Sequence, residues 1–501
     1  MYAENTPETD DRARWLALYV LCTGMLMIVL DATIVNVALP KIQDDLGFSQ
    51  SNLAWVVNAY LIAFGGLLLL AGRIGDLIGQ RKIFLIGLVV FIFASLFCAT
   101  AETQGMMIVA RFIQGVGGAL TSAVILGMIV NMFPEPRDRA KAIGVFGFVA
   151  SSGGSIGLIL GGVLTETINW HWIFFINIPV GIATVILARR LIEPSEGLGL
   201  KAGADLPGAF LLTSGLMLGV YTILGIEKHG WFSSQTLILS AVSLALLALF
   251  VLRQARIENP LMPLRMFRSR NVAGANVVQA LLVVGMFGMF FLGALYLQEV
   301  LKYDSLQVGL AFLPATIVMG FMSLKVSERV VMRFGPKTAL LPSLGFIFAG
   351  LLLFARTPVD GTFVTDIMPP MILIGAGAGL GFPALMSLAM SGATPEDSGL
   401  ASGLVNTSVQ VGGAIGLALL ATLASQRTET LTDAGHSAAE ALTGGFHLAY
   451  LVGAALTVLA FAIAAVVLQP VEMPAMDEDA PSPAGAGPEA DGSREPAYAE
   501  A

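Results

Sequence analysis

The sequence predicts an all-α membrane protein of fourteen transmembrane helices, arranged as two six-helix bundles with two further helices between them. Three observations carry this. Of 501 residues, 56% are hydrophobic and only 12% charged, whereas soluble domains hold about 25% charged residues. Apolar runs of about 20 residues, each long enough to cross a hydrocarbon core of about 30 Å as a helix, recur along the chain. The second half also repeats the first at a fixed offset.

The first six helices are expected at 15–39, 53–71, 83–101, 105–131, 142–164 and 172–191, the inserted pair at 207–225 and 237–252, and the last six at 272–297, 308–324, 338–354, 367–389, 401–423 and 446–468. Domain boundaries follow: a cytoplasmic segment 1–14, a first bundle 15–192, a linker with the inserted pair 193–253, a cytoplasmic loop 254–271, a second bundle 272–469 and an acidic tail 470–501. The opening MYAENTPETDD is acidic and precedes an apolar run too long for a signal peptide, so the first helix is expected to stay as an anchor. The tail, rich in Pro, Ala, Gly and Glu, carries the net acidity and is expected to be disordered. With the N-terminus cytoplasmic, 21 of the 27 Lys and Arg fall on the cytoplasmic side, the asymmetry that the positive-inside rule requires. That places both termini in the cytoplasm and the chain in a plasma membrane.

The repeat has an offset of 259 residues. It superimposes Pro136 on Pro395, Asp138 on Asp397, Gly153 on Gly412, Gly154 on Gly413 and Gly157 on Gly416, and GQRK from Gly79 is echoed by GPK from Gly335. Two repeated halves are the signature of alternating access, with substrate between them near the midplane.

Asp31 and Arg111 are the charges that stand out inside apolar helices. At about 1.5 Å per residue they lie at one depth, roughly 13 Å and 9 Å below the outer ends of their helices. Exposed to lipid they would be costly, so they are expected to face the bundle interior and meet. An acid between burial, which favours its neutral form, and an arginine, which favours its charged form, can exchange protons; the plainer reading is a lock between helices one and four. Glu166, near the outer end of helix five, is a second acid of interest. Asn36 and Gln114 are placed to share the faces of Asp31 and Arg111. In the second half, Met286, Phe287, Met289 and Phe290, with Asn406 and Gln410 one turn apart, offer a flexible, polarizable surface for greasy ligands. Gly153, Gly157 and Gly161, with Gly162 beside them, give helix five a smooth face for packing or hinging.

Gly72, Gly75, Asp76, Gly79, Arg81 and Lys82 within AGRIGDLIGQRK resemble the loop signature of the major facilitator superfamily. LDATIVNVALP from Leu30 and WHWIFFINIPVG from Trp170 resemble stretches of its fourteen-helix drug:proton antiporters, and ARFIQGVGGA from Ala110 is similar to the superfamily's fourth-helix motif. The resemblance covers about residues 12–470. It implies the major facilitator fold and proton-driven export of hydrophobic small molecules, cationic ones among the candidates, with roles in proton coupling for Asp31, Arg111 and Glu166 and in gating for the glycine-rich loop. Two positions depart from it. The antiporter motif of helix five has a proline where this chain has Leu158, and His171 stands where the family has arginine. An exporter or proton symporter dedicated to one metabolite therefore stays open.

Other classes find little support. No G-x-x-x-x-G-K-[ST] loop occurs, so a nucleotide-driven pump is not expected. No H-E-x-x-H is present, and His171, His229, His436 and His447 form no metal spacing. GGSIG around Ser155 matches G-x-S-x-G, but it lacks the strand and histidine partner of a nucleophile elbow. Cys22 and Cys98 sit in apolar spans as small hydrophobes. The expected partners are the bilayer, protons and a small molecule, with no nucleic acid, no nucleotide and no cofactor, acting as a monomer.

Overall fold

The computed structural model describes residues 7–133, 135–194, 197, 199, 204–258, 260–391 and 398–471. The expected disorder of the acidic tail concerns residues outside these. The first bundle consists of α1 (Pro7–Leu46), α2 (Gln50–Ile78), α3 (Gln80–Ala99), α4 (Gln104–Met132), α5 (Pro136–Thr167) and a sixth rod made of α6 (Trp172–Phe175) and α7 (Asn177–Leu191). The inserted hairpin is α8 (Leu206–His229) and α9 (Ser234–Gln254). The second bundle starts with α10 (Arg270–Leu295), continued by a π turn over Tyr296–Val300. Next comes one interrupted rod of α11 (Ser305–Ala311), α12 (Leu313–Phe321) and α13 (Glu328–Phe334). α14 (Pro336–Phe354), α15 (Met368–Met390), α16 (Ser398–Asp433) and α17 (Ala438–Val466) complete it.

Each rod matches one of the fourteen expected helices. Among the described residues thirteen are long and apolar enough to cross a bilayer; α5, the remaining rod, is 32 residues long. The rods extend beyond the apolar runs because polar end-turns still satisfy their own backbone. Ser49, Thr103, Ser233, Ser269 and Ser437 each accept a backbone N–H from the first turn of the helix they precede. The second rod of the second bundle is where apolar patterning misleads, since it reads as one helix but carries a π turn over Met322–Ser327.

The repeat is physical. An added Cβ at Gly157 would sit 3.1 Å from the Leu30 carbonyl oxygen and one at Gly161 2.8 Å from that of Ile34, so α5 lies backbone-close on α1. In the second half Gly412 and Gly416 hold α16 equally close to Ala280 and Val284 of α10. Gly117 presses α4 on Phe91 and Gly87 of α3, as Gly377 presses α15 on Ser343 and Ile347 of α14. Small residues allow such approach where lipid supplies no hydrophobic drive.

The glycine-rich loop is shorter than its sequence suggests: α2 runs through Asp76 to Ile78 and α3 begins at Gln80. Gly79 alone makes the turn at φ 104°, and Gly335 does the same at φ 80° before α14. A cation follows each turn. Arg81 donates 2.6 Å to the Arg189 carbonyl at the end of α7, and Lys337 donates to the Ala465 and Leu468 carbonyls at the end of α17. Both satisfy orphan carbonyls at a negative helix terminus.

The hairpin straddles the halves. Gly66 of α2 accommodates Thr213 of α8. Thr422 of α16 donates 3.1 Å to the Ile223 carbonyl, and Trp231 donates 3.1 Å to Gln426. At the end shared with Gly79, called here the terminal end, buried Asp205 caps α8 by accepting from the Gly208 N–H and receives Arg253 at 2.6 Å and Gln254 at 2.7 Å. Burial pushes the Asp205 carboxyl up, but these donors and the arginine's charge outweigh it and hold it below the ordinary carboxylate range. The stability it lends is present above the unfolded value of about 3.9 and is lost only as pH falls through its lower folded value.

Gly117→Val should cost about 1–3 kcal/mol through overpacking, whereas Gly105→Val, on the same helix with nothing within 4 Å, should stay within about 0.5 kcal/mol of the parent. Thermal unfolding of the purified variants in one detergent checks the contrast.

Candidate functional site

Arg111 and Asp31 meet inside the first bundle. The approach begins with Gly115, whose absent side chain lets α4 lie against the Tyr60 carbonyl of α2, where a Cβ would be 2.4 Å away. One turn earlier on both parallel helices, the Arg111 Nε donates 2.8 Å to the Val56 carbonyl. Its Nη1 reaches Asp31 Oδ2 at 2.5 Å and Gln114 Oε1 at 2.7 Å. Gln114 Nε2 donates to Asp31 Oδ1 at 2.6 Å and to Ser95 Oγ at 2.9 Å, and Asn177 Nδ2 donates to Asp31 Oδ1 at 3.1 Å. The Ser95 hydroxyl in turn donates 2.8 Å to the Phe91 carbonyl. The guanidinium carbon lies 4.5 Å from the Tyr60 ring centre, a cation–π distance.

Asp31, Arg111, Gln114 and Ser95 are all 0% exposed. The centre therefore draws on α1, α2, α3, α4 and α7 and lies in the core of one bundle. Both carboxylate oxygens are occupied by donors, and the charges cancel at contact distance. A buried pair is strongly held only when its remaining hydrogen-bonding groups are also satisfied. Protonating Asp31 would leave a guanidinium without its counter-charge.

The other expected residues divide. Gln114, expected in a substrate cavity, is part of the buried centre. Asn36 turns onto its own helix, donating to the Ala32 and Thr33 carbonyls. Met286, Met289 and Phe290 line a crevice with Thr316, Met319 and Ile374, between α10, α12 and α15. Phe287 packs instead on Gly413. Gln410 meets Gly65 of α2 across the halves, and Asn406 is exposed on α16. Gly75 packs on Val124, Gly72 faces open space, and Asp76 and Lys82 are exposed. Gly153 rests on Leu26 and Val29 of α1.

Glu166 lies far from this centre, at the end opposite the termini. It is exposed, and it accepts a 3.4 Å hydrogen bond from the Ser305 N–H at the start of α11. There the halves touch. A Cβ on Gly162 would meet the Ser305 carbonyl at 2.7 Å, one on Gly309 the Leu158 carbonyl at 2.4 Å, and Gln298 Nε2 donates 2.9 Å to the Val37 carbonyl of α1. Leu158 presents its carbonyl at this crossing, within an α5 that runs as one helix.

Sequence reasoning missed Ser95, Asn177, Tyr60 and the Val56 carbonyl. Asn177 sat inside the quoted WHWIFFINIPVG stretch, where an amide among apolar residues was a usable signal. Ser95 and a backbone carbonyl carried none.

A multi-pass helical membrane protein made of two like bundles, with an ion pair sealed in one of them, is the architecture of a secondary transporter. The chain belongs to the Major Facilitator Superfamily, whose family model matches residues 21–417. It is 37% identical over 440 residues, 87% of each chain, to the puromycin resistance protein of Streptomyces alboniger. It is 36% identical over 475 residues, 93% of each, to the cephamycin export protein of Amycolatopsis lactamdurans. In fold it is similar to the crystal structure of an auto-inhibited peptide transporter of the POT family, with a TM-score of 0.66, 16% identity and coverage of 91% of this chain and 98% of that one.

Asp31→Asn alone should destabilise the protein by about 3–5 kcal/mol, because it strands a buried charge. Asp31→Asn with Arg111→Gln should recover most of that loss. Equilibrium unfolding of the singles and the double measures the coupling, and additive losses would show the two charges to be independent.

Proposed function

We propose that this protein exports hydrophobic small molecules, cationic ones among the candidates, across a bacterial plasma membrane in exchange for protons, by alternating access of its two bundles. The observation that carries the reading is Asp31, a fully buried carboxylate paired with the guanidinium of Arg111 on the neighbouring α4. The relatives named for puromycin resistance and cephamycin export support antibiotic-like cargo. The terminal end faces the cytoplasm, following the distribution of Lys and Arg. The chain acts as a monomer, without nucleotide.

Coupling runs along α1. Asp31 lies three residues before Ile34, on which Gly161 of α5 rests, and six before Val37, whose carbonyl receives Gln298 from the second bundle. When a proton neutralises Asp31, Arg111 loses its counter-charge and α1 is freed to shift against α4. That shift moves both contacts by which α1 supports closure at the opposite end. Discharge of the proton restores the pair and the closure. Cargo binds between the bundles, against Met286, Met289 and Phe290 with Asn406 and Gln410. Glu166 is a second, peripheral proton acceptor, placed where a change of charge weakens its hold on α11. Gly72, Gly75, Asp76, Gly79, Arg81 and Lys82 work as the gate at the terminal end.

A narrower reading, export of one dedicated metabolite, is favoured by the relatives' single-compound names and by Leu158 in place of the family's proline. It shares the same energetics.

In proteoliposomes under an imposed pH gradient, wild type should expel antibiotics or dyes uphill. Asp31→Asn should lose uphill transport and keep downhill counterflow, which shows that it is folded, while Asp31→Glu should retain part of both. Uphill, gradient-driven export by Asp31→Asn would refute the role given to this acid.

A further inference from the structure

We propose that a cleft at the terminal end of the inserted hairpin binds the phosphate of an anionic phospholipid, with one acyl chain lying along α8 and α9. The open cleft, of about 490 Å³, is walled by Leu211 of α8 and by Leu249, Leu252 and Ile257, and Arg253 and Arg256 stand at its mouth. Leu249 and Leu252 are each about half exposed, 51% and 52%, and continue the uncovered apolar face of α9. Leu252 is the last apolar residue before Arg253, so the change from apolar wall to guanidinium falls where hydrocarbon gives way to headgroups. An aqueous anion has no use for such a wall. A lipid uses both parts, and basic pockets at helix ends on this side of a membrane suit anionic headgroups.

The charge balance fits one phosphodiester. Arg253 is neutralised through its Nε by Asp205, yet 37% of its side chain stays accessible, which leaves the rest of the fork for a second oxyanion. Among the described residues Arg256 makes no side-chain hydrogen bond or ion pair, so the mouth carries a net charge of one. Glu258, the other nearby acid, is exposed and does not line the cleft.

The site also has something to act on. Arg253 and Gln254 both hold Asp205, and Gln254 accepts from the Met262 N–H at 3.1 Å, which fastens the segment leading into the second bundle. In that segment Leu261 packs with Leu70 of α2 and Ala209 of α8, while Met266 packs with Val272 and Leu404 of the second bundle. A phosphate drawing Arg253 and Arg256 together stiffens the point where this strap leaves the hairpin.

The test is native mass spectrometry of the full chain in detergent, titrated with phosphatidylglycerol, with phosphatidylcholine of the same chains, and with inorganic phosphate. One phosphatidylglycerol should be retained in preference to phosphatidylcholine. Arg256→Gln should lower its retention about fivefold, the worth of one arginine near an anionic lipid surface, and Arg256→Glu further. Arg427→Gln, at the exposed opposite end of α16, should change nothing. Arg256 is itself exposed, so folding is not at risk. Equal retention of the two lipids, unchanged retention in both Arg256 variants, or displacement by inorganic phosphate at the lipid's concentration would each overturn the proposal.

Discussion

The contact between Asp31 and Arg111 constrains everything around it. Neither charge tolerates hydrocarbon alone, so the bundle must present donors to the second carboxylate oxygen and acceptors to the guanidinium. Gln114, Asn177, Ser95 and the Val56 carbonyl are the result, and each fixes the rotation of its own helix. Gly115 is required for the same reason, because a side chain there would hold α4 away from α2 and leave the guanidinium short of Val56. Among the described residues the second bundle repeats the helix packing without repeating this buried ion pair. That difference leaves the buried charge pair in one half and a methionine- and phenylalanine-lined crevice in the other.

Much of the architecture was legible in the sequence because lipid simplifies the code. A backbone in hydrocarbon must satisfy its own hydrogen bonds, so each long apolar run becomes a rod. The fourteen rods and the repeat follow from that constraint together with the glycine offsets. The interruptions were not legible. A π turn at Met322–Ser327 swaps one internal hydrogen bond for another and leaves no mark on hydropathy. The brevity of the glycine-rich loop was also hidden, since charged residues such as Asp76 remain helical once they reach the end of a span.

The centre was legible only in its charges. Asp31 and Arg111 announce themselves against an apolar background, and depth along each helix brought them to one level. The neutral members were harder, because a serine or glutamine is as often a packing residue as a ligand, and rotation about the helix axis decides which. Gln114 shows the point: its spacing from Arg111 was correctly noted, and it turns toward Ser95 and Asp31 inside the first bundle. Glu166 shows the reverse, an acid whose interest comes from a neighbour in the other half, at Ser305, that no reading of one helix supplies.

The inserted hairpin gives the two flanks of the molecule unequal mechanics. α8 is fastened to α2 at Thr213 and Gly66 and to α16 at Ile223 and Thr422, so that flank is stitched by a third helix. The flank where α5 crosses α11 is closed by glycine contacts, by the long hydrogen bond from the Ser305 N–H to Glu166 and by Gln298 on the Val37 carbonyl. The hairpin thus adds a third body to one edge of the seam, where the opposite edge is closed by the two bundles themselves.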